Sequence, residues 1–270
     1  MSIIEHLQEM RNHGGEPLTR GLPDDVIERF AERDSRLREA VEVAHSEFLA
    51  LSEEQPELLA LDEISQIQEI QSDFVNFYAD DAVNPYVGLA GRGPWLVTLK
   101  GAILYDAGGY GMLGFGHNPV AVLEAINQPH LMANIMTPQV SQKKFTNRLR
   151  RELGHTRGGC PFDSFLCMNS GSEAVTVGAR ISDINAKLMT DPGGRYANQP
   201  IRKLSLKGGF HGRTQRPAQF SDSTRQNYCK HLATFRDSDK LITVEPNDIE
   251  QLQQVFSWAE SNHFFIESFF

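Results

Sequence analysis

The residues best suited to chemistry lie where a short apolar segment meets the start of a helix. The pattern predicts a strand over Ser164–Met168, then a turn of small residues, then a helix over Glu173–Met189. The first backbone N–H groups of a helix have no partner within the helix, and the helix dipole adds positive charge there. Gly171 and Ser172 leave this backbone open to a ligand, so the turn predicts a bound oxyanion, most simply a phosphate. The alternative is that Ser170 or Ser172 serves only as a helix N-cap.

A second motif follows the next predicted strand, Arg202–Leu206. Its sequence is Lys207-Gly208-Gly209-Phe210-His211-Gly212-Arg213-Thr214. Glycines on both sides of the Phe210–His211 pair allow an irregular loop with room for a flat group beside the aromatic ring. The alternative is that Phe210 is an ordinary core residue, as most aromatic residues are.

These two motifs, in this order and about forty residues apart, resemble those of the class III (ω-amino acid) aminotransferases. Members of that family use pyridoxal phosphate and have the fold type I architecture. Upstream, Gly101–Pro119 is similar to the family's segment with a short strand pair, an Asp, a glycine run and Gly-His-Asn-Pro. The three matches together cover about residues 85–270.

The resemblance implies roles for six residues. The turn, with Ser170, Gly171 and Ser172, would bind the phosphate of the cofactor. Phe210 would stack on the pyridine ring, with His211 beside the cofactor. Arg213 matches an arginine that grips a substrate carboxylate in the acetylornithine branch of the family, where a guanidinium group offers bidentate contacts that lysine cannot.

The resemblance also implies the fold and the reaction. It predicts an α/β, fold type I transferase with an incomplete large-domain sheet and an N-terminal small-domain segment. The reaction would move an amino group from an amino acid or ω-amino acid to a keto acid, in a homodimer when the protein is full length. The family's Schiff-base lysine and ring-nitrogen Asp lie beyond the apolar run Phe264–Phe270, where this sequence stops. We therefore expect no catalytic residue within these 270 residues and no activity from them alone.

Three segments are predicted along the chain. Residues 1–80 form an acidic helical extension, with one amphipathic helix from Asp24 to Leu51 and another over Leu58–Phe77. Residues 81–118 form the small-domain segment, with a strand over Ala102–Tyr105. Residues 119–270 form the first part of the cofactor-binding domain, in which strands and helices alternate as in a parallel α/β sheet. Its further predicted elements are helices Val120–Ile126, Ser141–Leu153 and Asp248–Glu260, and strands Leu241–Val244 and Phe264–Phe269.

The predicted helix at Glu173–Met189 carries a regular apolar stripe. The spacing of three and four residues predicts that this stripe is the buried face of the helix. The stripe comprises Ala174, Val177, Ile181, Ile184 and Leu188.

One motif suggests a different cofactor. Gly109–Gly114 has the G-x-G-x-x-G spacing of a dinucleotide site. Such a site needs a helix that starts at the third glycine. Here Phe115–Asn118 intervenes, and a helix can begin only at Pro119. The sequence therefore does not favour a nicotinamide cofactor.

Composition excludes other classes of protein. The net charge of −9 argues against a nucleic-acid binder. The acidic residues of the chain are concentrated in residues 1–80, which contain 19 Asp and Glu but only 6 Lys and Arg. No apolar run is long enough to span a membrane, and the histidines lack metal-ligand spacing. Cys160, Cys167 and Cys229 are expected to be reduced thiols of a cytoplasmic protein.

Two other functions stay open at this point. The same scaffold supports other pyridoxal-phosphate activities, such as those of aminomutases, racemases or decarboxylases. The chain could also be a non-catalytic short form that acts by binding or by pairing with another subunit.

Overall fold

The computed structural model describes residues 2–75, 83–108, 114–129, 131, 136–236 and 240–270. The chain divides into two compact units, residues 1–133 and residues 134–270. Residues 109–113 of the dinucleotide-like motif and residues 76–77 of the predicted second helix lie outside the described residues. No helix among the described residues is long and apolar enough to cross a membrane.

Within the described residues, the first unit begins with five helices. They are α1 (Ile3–Arg11), α2 (Asp24–Ala31), α3 (Ser35–Glu54), α4 (Pro56–Ala60) and α5 (Glu63–Gln71). The prediction of one helix from Asp24 to Leu51 was wrong, because the chain breaks between α2 and α3. Asp34 has extended backbone angles there and its carboxylate accepts from the N–H of Arg36, which starts a new helix. The predicted helix Leu58–Phe77 likewise forms as two short helices.

Three short strands complete the core of this unit. β1 (Gly88–Arg92), β2 (Trp95–Thr98) and β3 (Ile103–Tyr105) form an antiparallel sheet in that order. The sheet packs against α3, and the shared core includes Trp95, Val97, Leu37 and Val41. Helix α6 (Val120–Ile126) has the predicted bounds.

The second unit has a parallel sheet, as predicted. β4 (Ile201–Leu206) lies between β5 (Leu241–Val244) and β6 (Phe265–Phe269), and both pairings are parallel. The helices of the unit are α7 (Val140–Gly154), α8 (Gly171–Thr190), α9 (Gln215–Ala218), α10 (Arg225–His231) and α11 (Ile249–Ser261), with a 3₁₀ turn at Ala233–Phe235. Except for the first predicted strand, the predicted helices and strands of this unit are confirmed within two residues at each end.

The first predicted strand of the cofactor-binding domain is absent. Ser164–Met168 has no regular secondary structure, and most of its residues are exposed. A strand requires a hydrogen-bonded neighbour, and no described strand pairs with this segment. Its apolar sequence was the only basis for the prediction, and apolar sequence does not supply a neighbour.

The predicted buried face of α8 was also wrong. Ile181, Ile184 and Leu188 are 58% to 69% exposed. The fully buried residues of the helix are Ala179 and Ala186. Small side chains on this other face allow the helix backbone to lie close to β6, and the space beside Gly178 is occupied by the ring of Phe270.

Candidate functional site

The N-terminus of α8 is capped from both directions. The Ser170 hydroxyl accepts from the N–H of Glu173 at 3.2 Å. The Glu173 carboxylate accepts from the N–H groups of Asn169 and Ser170, at 2.9 and 3.1 Å. Ser170 is therefore the N-cap of α8. This cap fixes the direction of the 20-residue helix and of its dipole.

The next two N–H groups remain available for a ligand. Among the described residues, none accepts a hydrogen bond from the N–H of Gly171 or Ser172. Gly171 faces open space, because a Cβ built there would meet no atom within 4 Å. Two uncommitted donors at the positive end of a helix dipole suit an oxyanion.

The loop after β4 lies against this helix terminus. Gly212 has φ +118°, and a Cβ built on it would lie 2.2 Å from the Ser172 hydroxyl oxygen. Only glycine allows this approach. Thr214 continues the contact, since its hydroxyl lies 3.4 Å from that of Thr176 on α8. The structure thus brings together the two motifs that the sequence keeps about forty residues apart.

Ser221 and Asp222, which were not predicted from the sequence, anchor the loop after β4. The Ser221 hydroxyl accepts from the N–H of His211 at 2.9 Å and donates to the carbonyl of Gly212 at 3.1 Å. The Asp222 carboxylate accepts from the N–H of Gly208 at 2.7 Å. The cluster Ser221-Asp222-Ser223, directly after the buried Phe220, was the available signal, because such residues often bind local backbone groups.

Phe210 and Arg213 lie on the open side of the loop. Phe210 is 55% exposed, so it is not the core residue of the alternative prediction. The guanidinium carbon of Arg213 lies 5.8 Å from the centre of the Phe210 ring. An exposed aromatic ring beside a cation gives this side of the loop both a flat apolar surface and positive charge.

His211 points the other way. Its ring lies 6.2 Å from the ring of Phe270, edge to face, and its Nε2 is buried without a partner among the described residues. Burial lowers the pKa of His211 below its ordinary value. Burial therefore disfavours the charged form of the imidazole, which suits a residue that supports the loop.

A family match covers most of the chain and is not limited to the two motifs described above. Residues 78–268 match the family described as Aminotransferase class-III. The chain belongs to the class III aminotransferase family. Comparison with curated protein sequences gives no match.

Solved structures show that this class III chain has the fold type I architecture. One is an ornithine aminotransferase from Toxoplasma gondii, with a TM-score of 0.52 and 18% identity over 76% of this chain and 44% of that chain. Another is an adenosylmethionine-8-amino-7-oxononanoate aminotransferase from Methanocaldococcus jannaschii, with a TM-score of 0.53 and 17% identity over 76% and 46%. The class III chain therefore spans less than half the length of these structures.

The described residues fit the phosphate of pyridoxal phosphate, the cofactor of class III aminotransferases. The donors at the α8 terminus are N–H groups with a neighbouring hydroxyl, and the open space at Gly171 leaves room for a ligand. Glu173 is an acid in the first turn of α8, and its carboxylate already accepts hydrogen bonds from two backbone N–H groups. Among the described residues no group of His, Cys, Asp and Glu could hold a metal ion.

Proposed function

We propose that this class III chain provides the cofactor phosphate site of a pyridoxal-phosphate-dependent aminotransferase. The enzyme moves an amino group from an amino acid or ω-amino acid to a keto acid. The observation that carries the proposal is the contact between Gly212 and Ser172. It brings an aromatic loop to the uncommitted N–H groups of a helix terminus, which is what a phosphorylated aromatic cofactor needs.

The phosphate would bind at the start of α8. Gly171 and Ser172 offer backbone N–H groups, and the Ser172 hydroxyl adds a further donor. Ser170 takes part indirectly, because its hydroxyl caps the helix and so holds these donors in place.

The ring would bind beside Phe210. When bound, pyridoxal phosphate supplies an electron sink for bond breaking at the carbon that carries the amino group. Phe210 orients the ring by stacking and excludes water from one of its faces. His211 is partly buried, with its Nε2 enclosed, and it supports the loop instead of transferring a proton in the reaction.

Arg213 would orient the substrate. Its guanidinium group can bind a carboxylate through two hydrogen bonds. The nearby lysines are engaged elsewhere, since Lys207 pairs with Glu245 and Lys203 donates to Gln219. Neither is therefore proposed as the lysine that binds the cofactor.

The proposal also covers the oligomeric state and the cellular location of the enzyme. A homodimer is typical of the family, and we propose it for the full-length protein. A cytoplasmic location agrees with the three free cysteines, Cys160, Cys167 and Cys229.

The direct test is keto-acid-dependent amino transfer by the full-length protein, with the missing lysine, loaded with pyridoxal phosphate. Transfer from a carboxylate-bearing donor supports the proposal. Racemisation, decarboxylation or amino migration without a keto acid would instead assign another activity of the same scaffold.

Substitution of Arg213 in the full-length protein tests whether this residue binds the substrate carboxylate. Arg213→Lys keeps the charge and loses the bidentate geometry, so we expect KM for the donor to rise roughly fivefold to tenfold. Arg195→Lys is the matched control, because Arg195 also lies over an aromatic ring, that of Tyr196. An unchanged KM and kcat in Arg213→Lys would return this arginine to a purely structural role.

A further inference from the structure

Apart from the start of α8, the second unit contains a cavity lined by basic side chains. A cavity of about 410 Å³ opens between the first halves of β4 and β5, α9 and the 3₁₀ turn. Four of its lining residues are basic and none of the described lining residues is acidic. The basic residues are Lys203, Arg216, Arg225 and Lys240.

Lys203 is the most buried of these cations. The residue is 8% exposed, and its ammonium group donates to the amide oxygen of Gln219 and lies 5.3 Å from the centre of the Phe220 ring. Burial, and then the charges of Arg216 and Lys240, lower the pKa of Lys203 to about 8. Among the described residues its hydrogen-bond acceptor is a neutral amide, and a buried ammonium without an anionic partner is costly for the fold.

The nearest acids do not neutralise this lysine by contact. The Glu267 carboxylate accepts from the Ser182 hydroxyl at 2.9 Å and pairs with Arg216. Asp183 lies 3.4 Å from the same guanidinium group. Both acids raise the pKa of Lys203 only from a distance. Among the described residues both carboxylates contact Arg216, and neither forms an ion pair with Lys203 or Lys240.

The cavity also has a neutral and apolar part. Phe235, Leu241 and Ala218 contribute apolar surface, while Thr234 and Gln219 add polar groups. Its volume is within the range of cavities that hold small molecules. The walls thus suit a small carbon skeleton that carries several negative charges.

We propose that this cavity binds a small multivalent oxyanion, either a phosphorylated or a polycarboxylate metabolite. Lys203 and Lys240 bind its anionic groups, and the anion relieves the repulsion between them. Lys203 lies in the first half of β4, whereas the cofactor loop follows the end of that strand. The two sites therefore have different residues and can be tested separately.

The test is calorimetric titration of residues 1–270 with pyrophosphate and, separately, with citrate, at constant ionic strength. We expect one saturable cavity site for at least one of these probes. Tighter binding of pyrophosphate identifies a phosphorylated ligand, and tighter binding of citrate identifies a polycarboxylate.

Four variants assign that binding to the cavity. Lys203→Met should weaken it roughly tenfold or more, and Lys240→Gln, which alters an exposed residue, should weaken it severalfold. Lys144→Gln on the exposed face of α7 is the matched control and should stay within about twofold of wild type. Gly171→Asp should keep the cavity site.

Three results would overturn the proposal. The first is that neither probe binds to the wild-type chain, and the second is equal binding by wild type, Lys203→Met and Lys240→Gln. The third is binding that Gly171→Asp abolishes and the lysine variants retain, since it would assign the anion to the cofactor turn.

Discussion

Single residues explain why the cofactor loop can reach the helix terminus. Gly212 combines a positive φ with contact against Ser172, so any larger residue there would separate the two motifs. The sequence indicated both motifs through their glycines and serines. The polar run that includes Ser221 indicated local backbone contacts, but which groups Ser221 would bond depends on where the chain returns after Phe220.

The aromatic residue of the loop gives a prediction at this scale. Phe210→Ala should weaken pyridoxal phosphate binding by about 1 kcal/mol or more, roughly fivefold, because stacking is lost. The fold should be little affected, since Phe210 is 55% exposed. Phe256→Ala, which removes a similarly exposed ring from α11, is the control and should bind normally. Unaltered cofactor affinity in Phe210→Ala would exclude stacking on this ring.

The direction of His211 could not be predicted from its motif. A histidine between an aromatic residue and glycine can point to either side of a loop. Here Phe270, nearly sixty residues away, provides the apolar surface against which its ring packs. Contacts between residues so distant in sequence leave no local pattern.

At the scale of elements, the local sequence pattern predicted where α8 forms but did not predict which of its faces is buried. The apolar stripe of α8 was correct as evidence for a helix, and its predicted burial was wrong. Ala179 and Ala186 pack inward because small residues permit close approach to β6. Periodicity shows that a stripe exists, but the neighbouring elements decide which face is covered.

The break between α2 and α3 gives a second prediction. Asp34 accepts from Arg36 and, at 2.9 Å, from the indole N–H of Trp95, so it joins the start of α3 to β2. Its hydrogen bonds with Arg36, followed by that from Trp95, lower the pKa of Asp34 from 3.8 to about 2. A lowered carboxyl pKa stabilises the fold above about pH 4, and this contribution is lost as the pH falls towards 2.

Asp34→Asn should therefore lower the free energy of unfolding by about 1 kcal/mol or more at pH 7. The difference from wild type should shrink between about pH 4 and 2. Urea unfolding followed by fluorescence measures this in a Trp258→Phe background, where Trp95 is the remaining tryptophan. Asp25→Asn is the control, because its ion pair with Arg29 is highly exposed. A difference that is constant over this pH range would contradict the assigned pKa.

At the scale of the whole molecule, the alternation of strands and helices predicted the parallel sheet correctly. The order β5-β4-β6 could not be read from the sequence, because each crossover joins strands by a helix of similar pattern. The absence of a paired strand at Ser164–Met168 could not be predicted for the same reason. Pairing depends on neighbours that lie far away along the chain, and strand propensity alone does not provide them.

The central claim is that the start of α8 binds the cofactor phosphate. Gly171→Asp tests it most directly, because the space beside Gly171 is open and an acid in the first turn favours the helix itself. The fold should therefore survive, while the new carboxylate occupies the anion site. Gly171→Ala is the matched control, since it keeps the backbone donor, and Ser172→Ala should lose only about 1 kcal/mol.

The measurement is the affinity of the protein for pyridoxal phosphate, determined by equilibrium dialysis for wild type and these three variants. We predict that Gly171→Asp weakens binding roughly tenfold or more, that Ser172→Ala weakens it roughly fivefold and that Gly171→Ala stays within about threefold of wild type. Equal cofactor affinity in wild type and Gly171→Asp would contradict the account.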